Sequence, residues 1–130
     1  VFDLTRRLEL EDHVLFLGRV TDRELLWLYN TAQALVAPSI YEGFGLTPLE
    51  AMACGTPVIV SNVSSMPEIV ADAGLTVDPT DVEELTVAMW RILDDSALRD
   101  TLAKKGLKRA ALFSWDKAAQ ETLALYHSVA

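Results

Sequence analysis

Residues 34–60 read ALVAPSIYEGFGLTPLEAMACGTPVIV, and the order of their parts decides the fold. Ala34 to Ala37 is a short apolar run closed by Pro38, which predicts a buried strand. The loop Ser39 to Gly45 leads into a helix over roughly Pro48 to Cys54. Gly55 is placed for a left-handed C-terminal cap, and Pro57 stands just beyond it. Val58-Ile59-Val60 is β-branched throughout, which suits a parallel strand covered on both faces. Strand, loop, helix and strand in this order make one βαβ unit.

The pattern repeats outward from that unit. Upstream, Val14 to Leu17 reads as another buried strand, ended by Gly18. Thr21 and Glu24 form a capping box, and Leu25, Leu28, Tyr29 and Ala32 give the helix behind it an apolar stripe. Leu4 and Leu8 are spaced as in the tail of an earlier helix. Downstream, Ser65 and Glu68 fit a box for a short helix around Pro67 to Ala71. Gly74 to Val77 is a fourth strand, and Asp78-Pro79 turns the chain out. Thr80 and Glu83 open a helix with Val82, Leu85, Met89, Ile92 and Leu93 on one face. Ser96 caps a further helix to about Leu112. Ser114 caps the last, with Trp115, Ala119, Leu123 and Tyr126 at helical spacing. The expectation is an α/β domain: a Rossmann-like parallel sheet of about four strands, flanking helices and a helical C-terminus. Four strands are few for a doubly wound sheet, which usually carries about five or six.

Bulk properties narrow the function. The chain has 130 residues, 51% of them hydrophobic, enough for one domain with its own core. Nineteen acids against eleven bases leave a net charge of -8, so non-specific binding to nucleic acid is not expected. Arg99, Lys104, Lys105, Lys108 and Arg109 cluster late and read as the solvated face of a helix. The single cysteine, Cys54, excludes an internal disulfide, fits a reducing, cytoplasmic setting, and reads as a small buried residue. No apolar run approaches the roughly 18 residues of a membrane span. His13 and His127 read as surface residues, with no second ligand to suggest a metal. Trp115 is expected in the core, and Trp27 and Trp90 over faces made for other parts of a larger protein. The start at Val1, without a Met, suggests a fragment.

The loop between the first strand and helix of the central unit carries the chemistry. Gly43 and Gly45 permit unusual backbone angles and let a ligand approach the main chain. The helix that follows offers free amides, Leu46 and Thr47 among them, and the positive end of its dipole, a setting for phosphate. The pattern is neither a Walker loop nor the three-glycine dinucleotide fingerprint. Glu42, beside a phosphate site, must point elsewhere, toward sugar hydroxyls, or else be an exposed loop acid. Glu50 stands three residues after Thr47 with Pro48 at a first-turn position, so spacing leaves it open between a capping box and a ligand contact. Tyr41 either lines the same site or packs within the loop.

These residues also carry a resemblance. Glu42-Gly43-Phe44-Gly45-Leu46 through Glu50-Ala51-Met52-Ala53-Cys54-Gly55-Thr56-Pro57-Val58 closely resembles the Glu-x7-Glu motif of retaining glycosyltransferases with the GT-B fold. The likeness is to group 1, family 4-like members, the large group with sucrose synthases and bacterial mannosyl- and glucosyltransferases. It extends over Val14 to Gly18, Leu25 and Tyr29 before the motif. After it, Ser61 to Glu68, Asp78-Pro79 and Phe113-Ser114-Trp115 to Tyr126 follow in matching order.

The resemblance implies a C-terminal donor-binding domain and a role for each motif residue. Glu50 would hold the ribose hydroxyls of a UDP-, GDP- or ADP-sugar. Glu42 would sit by the donor sugar as the catalytic-site carboxylate. The amides of Gly43, Phe44, Gly45 and Leu46 would meet sugar and diphosphate, and Gly18, Arg19 and Val20 would border the base. Transfer would retain anomeric configuration without a metal or cofactor, to a sugar or lipid-linked acceptor held by an N-terminal domain. It further implies two strand units before Val1, bearing an Arg and a Lys that clamp the diphosphate. In strand order 3-2-1-4-5-6, Val14 to Leu17 would be the third strand and Ala34 to Ala37 the fourth. Without the first two, the chain would re-pair or leave an open edge that favours self-association. Thr47 departs from the proline of many relatives. Ser64-Ser65 stand where others carry glycines, which points to a mannosyltransferase-like subgroup. The rival expectations are a nucleotide-sugar-binding module that does not catalyse, a related epimerase or phosphorylase, and a structural fragment without ligand. No lysine stands out to hold the pyridoxal phosphate of a phosphorylase.

Overall fold

A computed structural model describes residues 1–129. Its elements are α1 (Phe2–Arg7), α2 (Asp22–Thr31), β1 (Leu35–Ala37), α3 (Leu46–Ala53), β2 (Val58–Ser61), α4 (Met66–Val70), β3 (Leu75–Val77), α5 (Val82–Asp94), α6 (Ser96–Ala110) and α7 (Trp115–Val129). The three strands form one parallel sheet in the order β1-β2-β3, with Val36 opposite Ile59 and Val60 opposite Thr76.

β2 lies at the centre and is buried along its whole length. Its alternation divides the core. Val58 and Val60 pack with Ala51 and Met52 of α3 and with Met66, Ile69 and Val70 of α4. Ile59 faces the other way, into Val77, Ala88, Ile92 and Leu102 of β3, α5 and α6. Two successive crossovers that add strands in one direction place α3 and α4 on the same face. α5 covers the opposite face. α6 packs against α3, where Gly106 is buried; a Cβ there would lie 3.2 Å from Met52 Cγ.

The β-branched run at Val58–Val60 thus behaves as its composition predicts, and the turn after α3 does too. Gly55 has φ +78, its amide donates to Met52 O, and Thr56 N donates to Ala51 O. This is the paired bonding of a Schellman cap.

One predicted strand does not form. Val14 to Leu17 belongs to no strand, and Leu15 is 81% exposed. A strand exists through its ladder, and among the described residues no neighbour supplies one. Phe16 instead rests on Phe2, ring centroids 4.2 Å apart. The chain does not close up by re-pairing, and the outer edge of β1 stays open.

Two of the predicted helix caps are also replaced, and a third makes no bond. The Thr21–Glu24 box forms in both directions, and Ser114 Oγ accepts from Lys117 N. At α5, however, Asp81 rather than Thr80 is the cap, accepting from Glu84 N at 2.9 Å. Thr80 is held by Asp78 Oδ1 in a local turn. At α6, Asp95 caps through Leu98 N, and Ser96 is already helical. In both places an aspartate one residue from the expected cap takes the role. Ser65 precedes α4 but makes no cap bond. α3 begins at Leu46, with Gly45 as its N-cap at φ +106, so Thr47 and Glu50 form no capping box.

Two further expectations change. Trp115 is 80% exposed, because α7 buries none of its residues. The late basic cluster is not simply solvated. Arg99 donates to the carbonyls of Ile92 and Leu93 at the end of α5. Lys105 pairs with Asp72 at 2.8 Å. The Arg109 guanidinium reaches the carbonyls of Ile69 (2.9 Å) and Glu68 (2.5 Å) at the end of α4. Lys104 and Lys108 do remain exposed.

Candidate functional site

The site is built where β1 ends and α3 begins, at the carboxyl end of the sheet. Chain direction makes this inevitable: in a parallel βαβ unit the loop after each strand and the N-terminus of the next helix lie at that end. Gly45 is the hinge between loop and helix. Its φ of +106 is open to glycine alone, and a Cβ would meet Met66 Sδ at 3.3 Å. Gly43 needs no such freedom: its φ is not in the left-handed region, and a Cβ there would touch nothing within 4 Å. Open space, not conformation, is what Gly43 contributes.

Among the described residues, the amides of Gly43, Phe44, Gly45, Leu46 and Thr47 donate to no protein acceptor. They form a run of free donors at the positive end of α3. Residues 39–50 contain no lysine or arginine, so within this segment positive potential comes from backbone dipoles alone.

The two carboxylates are positioned by different partners. Glu42 is half-buried and accepts from Ser39 Oγ through Oε1 at 3.1 Å. Its carbonyl accepts from Ser64 Oγ at 2.7 Å and Ser65 Oγ at 3.1 Å, and its amide donates to Ser64 Oγ at 3.3 Å. Glu50 lies on the second turn of α3, exposed, with Oε2 accepting from Tyr29 Oη at 3.1 Å. The choice between cap and contact left open by spacing therefore resolves away from the cap. Tyr29 is 8% exposed. Its hydroxyl is pushed up to about 12, first by burial and then by the carboxylate it donates to. Thr56 Oγ1 donates to the Tyr29 carbonyl, so the tyrosine is held at both ends.

Beside Glu50 lies an open groove of about 650 Å³, bordered by Phe44, Leu49, Phe113 and Trp115. Phe44 meets Phe113 edge to face at 6.0 Å, and the Arg109 guanidinium lies 5.0 Å from the Phe113 ring centre. The loop is thereby linked to α6 and, through Arg109, to α4.

Of the predicted site residues, Glu42 to Thr47 and Glu50 fall on this one loop and helix. Gly18, Arg19 and Val20 precede α2, with Gly18 at φ +64 and Val20 half-buried. No hydrogen bond joins them to the loop among the described residues. Tyr41 is exposed. Among the described residues no group of three or more His, Cys, Asp or Glu side chains is placed to hold a metal ion. Among the described residues no helix is long and apolar enough to cross a membrane. Sequence reasoning missed Ser39, the Ser64 and Ser65 hydroxyls, and the Tyr29 hydroxyl. In the sequence Tyr29 reads as a member of an apolar stripe, Ser65 as a helix cap and Ser64-Ser65 as replacements for glycines; none of these readings ties a hydroxyl to a glutamate.

Residues 1–109 match the family model described as glycosyl transferases group 1. The chain belongs to this family. Its sequence is 43% identical over 126 residues to O-antigen chain mannosyltransferase B of Escherichia coli, covering 97% of this chain and 33% of that protein. Its structure superposes on sucrose-phosphate synthase from Thermosynechococcus elongatus with a TM-score of 0.88 and 41% identity, over 98% of this chain and 33% of that one. It also superposes on Anabaena HepE, solved in complex with UDP and glucose, with a TM-score of 0.89 and 26% identity, over 98% of this chain and 35% of that one. The group 1 chain thus has the fold of a GT-B glycosyltransferase domain and spans about a third of the length of these relatives. Its three parallel strands and flanking helices are one part of that larger architecture.

Proposed function

We propose that this chain is the donor-binding part of a retaining glycosyltransferase, which moves a hexose from a nucleotide-sugar to a sugar or lipid-linked acceptor. The observation that carries the reading is the junction of β1 and α3. Five consecutive free amides, from Gly43 to Thr47, end at a helix whose second turn presents a carboxylate released from capping. A diphosphate needs the first feature and a ribose diol the second. Glu50 then accepts from the ribose hydroxyls, with Tyr29 fixing one of its oxygens. Glu42 accepts from a hydroxyl of the donor sugar. The amides and the α3 dipole stabilise the charge that builds on the diphosphate as the glycosidic bond breaks. Gly18 to Val20 border the base. The basic side chains that balance the rest of the diphosphate's negative charge, and the acceptor site, belong in this reading to parts of the whole enzyme outside these residues. The setting is cytoplasmic, and the mannosyltransferase relative favours mannosyl over glucosyl transfer.

Calorimetry with GDP-mannose, UDP-glucose and ADP-glucose tests the reading. One of the three is expected to bind, and Glu50→Ala to weaken it by about tenfold or more, since hydrogen bonds to a charged group contribute about 1.5–3 kcal/mol. Equal affinities for the two proteins would sink the ribose role. No sugar transfer is expected from these residues alone.

A further inference from the structure

Glu42 is held in place by residues far from it in the chain. Ser64 and Ser65, in the turn between β2 and α4, both direct their hydroxyls at the Glu42 carbonyl, and Ser64 also receives the Glu42 amide. Beyond Glu42 the loop is anchored by Phe44 against Phe113. Tyr41 is exposed, and the Cα of Gly43 faces open space.

Ser64 itself is held in an unfavourable backbone conformation. Its φ is +60, in the left-handed region, which L-residues avoid and glycine enters freely. It is exposed, so no packing of its side chain offsets that cost. What the side chain does contribute is the pair of bonds to Glu42. With the Glu42 backbone fixed from one side and Oε1 held by Ser39 from the other, the second carboxylate oxygen is left for a ligand.

We infer that Ser64 and Ser65 are positioning residues, which clamp the main chain of Glu42 so that its carboxylate is presented to the donor sugar. The inference rests on the sugar role proposed for Glu42. The clamp acts on the sugar half of the donor and not on the nucleotide half, which Glu50 and the helix amides hold.

Three variants of the whole chain test this: Ser64→Ala, Ser64→Gly and Ser65→Ala. Ser64→Ala and Ser64→Gly both lose the hydroxyl, but only glycine relieves the left-handed backbone. Amide exchange at Glu42 is expected to quicken about five- to tenfold in both, as the loss of hydrogen bonds of ordinary strength allows. Ser65→Ala, which removes one of two bonds to the carbonyl, is expected to weaken binding of the nucleotide-sugar less than either. In calorimetry, the two Ser64 variants are expected to bind the nucleotide-sugar about tenfold more weakly, toward the affinity of the matching nucleoside diphosphate, whose own binding stays within about twofold of wild type. The urea midpoint of Ser64→Gly is expected to equal or exceed that of Ser64→Ala, which separates the clamp from general stability.

Faster exchange in Ser64→Ala alone would assign the effect to backbone strain and overturn the inference. Undiminished preference for nucleotide-sugar over diphosphate in Ser64→Gly would overturn the positioning role while leaving the donor site standing. A wild-type chain that binds the nucleotide-sugar no better than the diphosphate would overturn the sugar role of Glu42 and this inference with it.

Discussion

Replacing Arg109 by alanine removes a tie between α6 and the short helix α4. α4 has only five residues and leaves the carbonyls of Glu68 and Ile69 without backbone partners among the described residues. Arg109 supplies both, Nε to Ile69 O at 2.9 Å and a terminal nitrogen to Glu68 O at 2.5 Å. A hydrogen bond to a charged group contributes about 1.5–3 kcal/mol. The Glu68 carbonyl belongs to an exposed residue and can be rehydrated, so the low end applies to it. Ile69 is 3% exposed, so its carbonyl carries the larger cost. The stacked contact with Phe113 adds about 0.5–1 kcal/mol. The expected loss is about 4–5 kcal/mol, a large share of a typical domain's stability. Arg109→Lys keeps the charge but not the two-pronged geometry, and is expected to recover roughly half. Urea denaturation of the three proteins reads this as a shift in midpoint at constant slope. An Arg109→Ala midpoint equivalent to less than about 0.5 kcal/mol would refute the reasoning, and would return Arg109 to the solvated face that its position in a basic cluster suggests.

The other predictions concern the loop and its tyrosine. Gly45→Ala forces a side chain into φ +106 and against Met66, and is expected to cost about 1–3 kcal/mol; Gly43→Ala meets neither obstacle and should leave the urea midpoint within about 0.5 kcal/mol while weakening donor binding measured by calorimetry. Tyr29 has its folded pKa raised from 10.0 to about 12, so its contribution is fully present below pH 10 and is lost as pH rises toward 12. Denaturation midpoints are expected to fall across that range, and Tyr29→Phe to flatten the fall; an identical slope in the variant would show that another group titrates. At the acid end, Glu24, Asp72 and Asp78 are held below their usual range by Thr21, Lys105 and Thr80 respectively. The stability they add is present above the ordinary carboxylate pKa near 4 and lost as pH falls below it.

The sequence by itself determined the βαβ unit, the two-sided burial of β2 and the place of the loop between β1 and α3. These follow from local causes: a β-branched run, a glycine after a helix, and the rule that loops after parallel strands gather at one end. It also placed both glutamates and the free amides on one junction. Only tertiary structure decided how those groups are held. Whether Glu50 caps a helix or faces outward turned on a two-residue shift in where α3 starts, set by the left-handed Gly45. Whether Val14 to Leu17 becomes a strand depended on a neighbour, since pairing is not a property of the segment that pairs. The Ser64–Ser65 clamp joins residues more than twenty positions apart, and Arg109 reaches forty positions back to α4. Hydroxyl and guanidinium groups have no periodicity to betray their partners; only the packed chain shows where each one bonds.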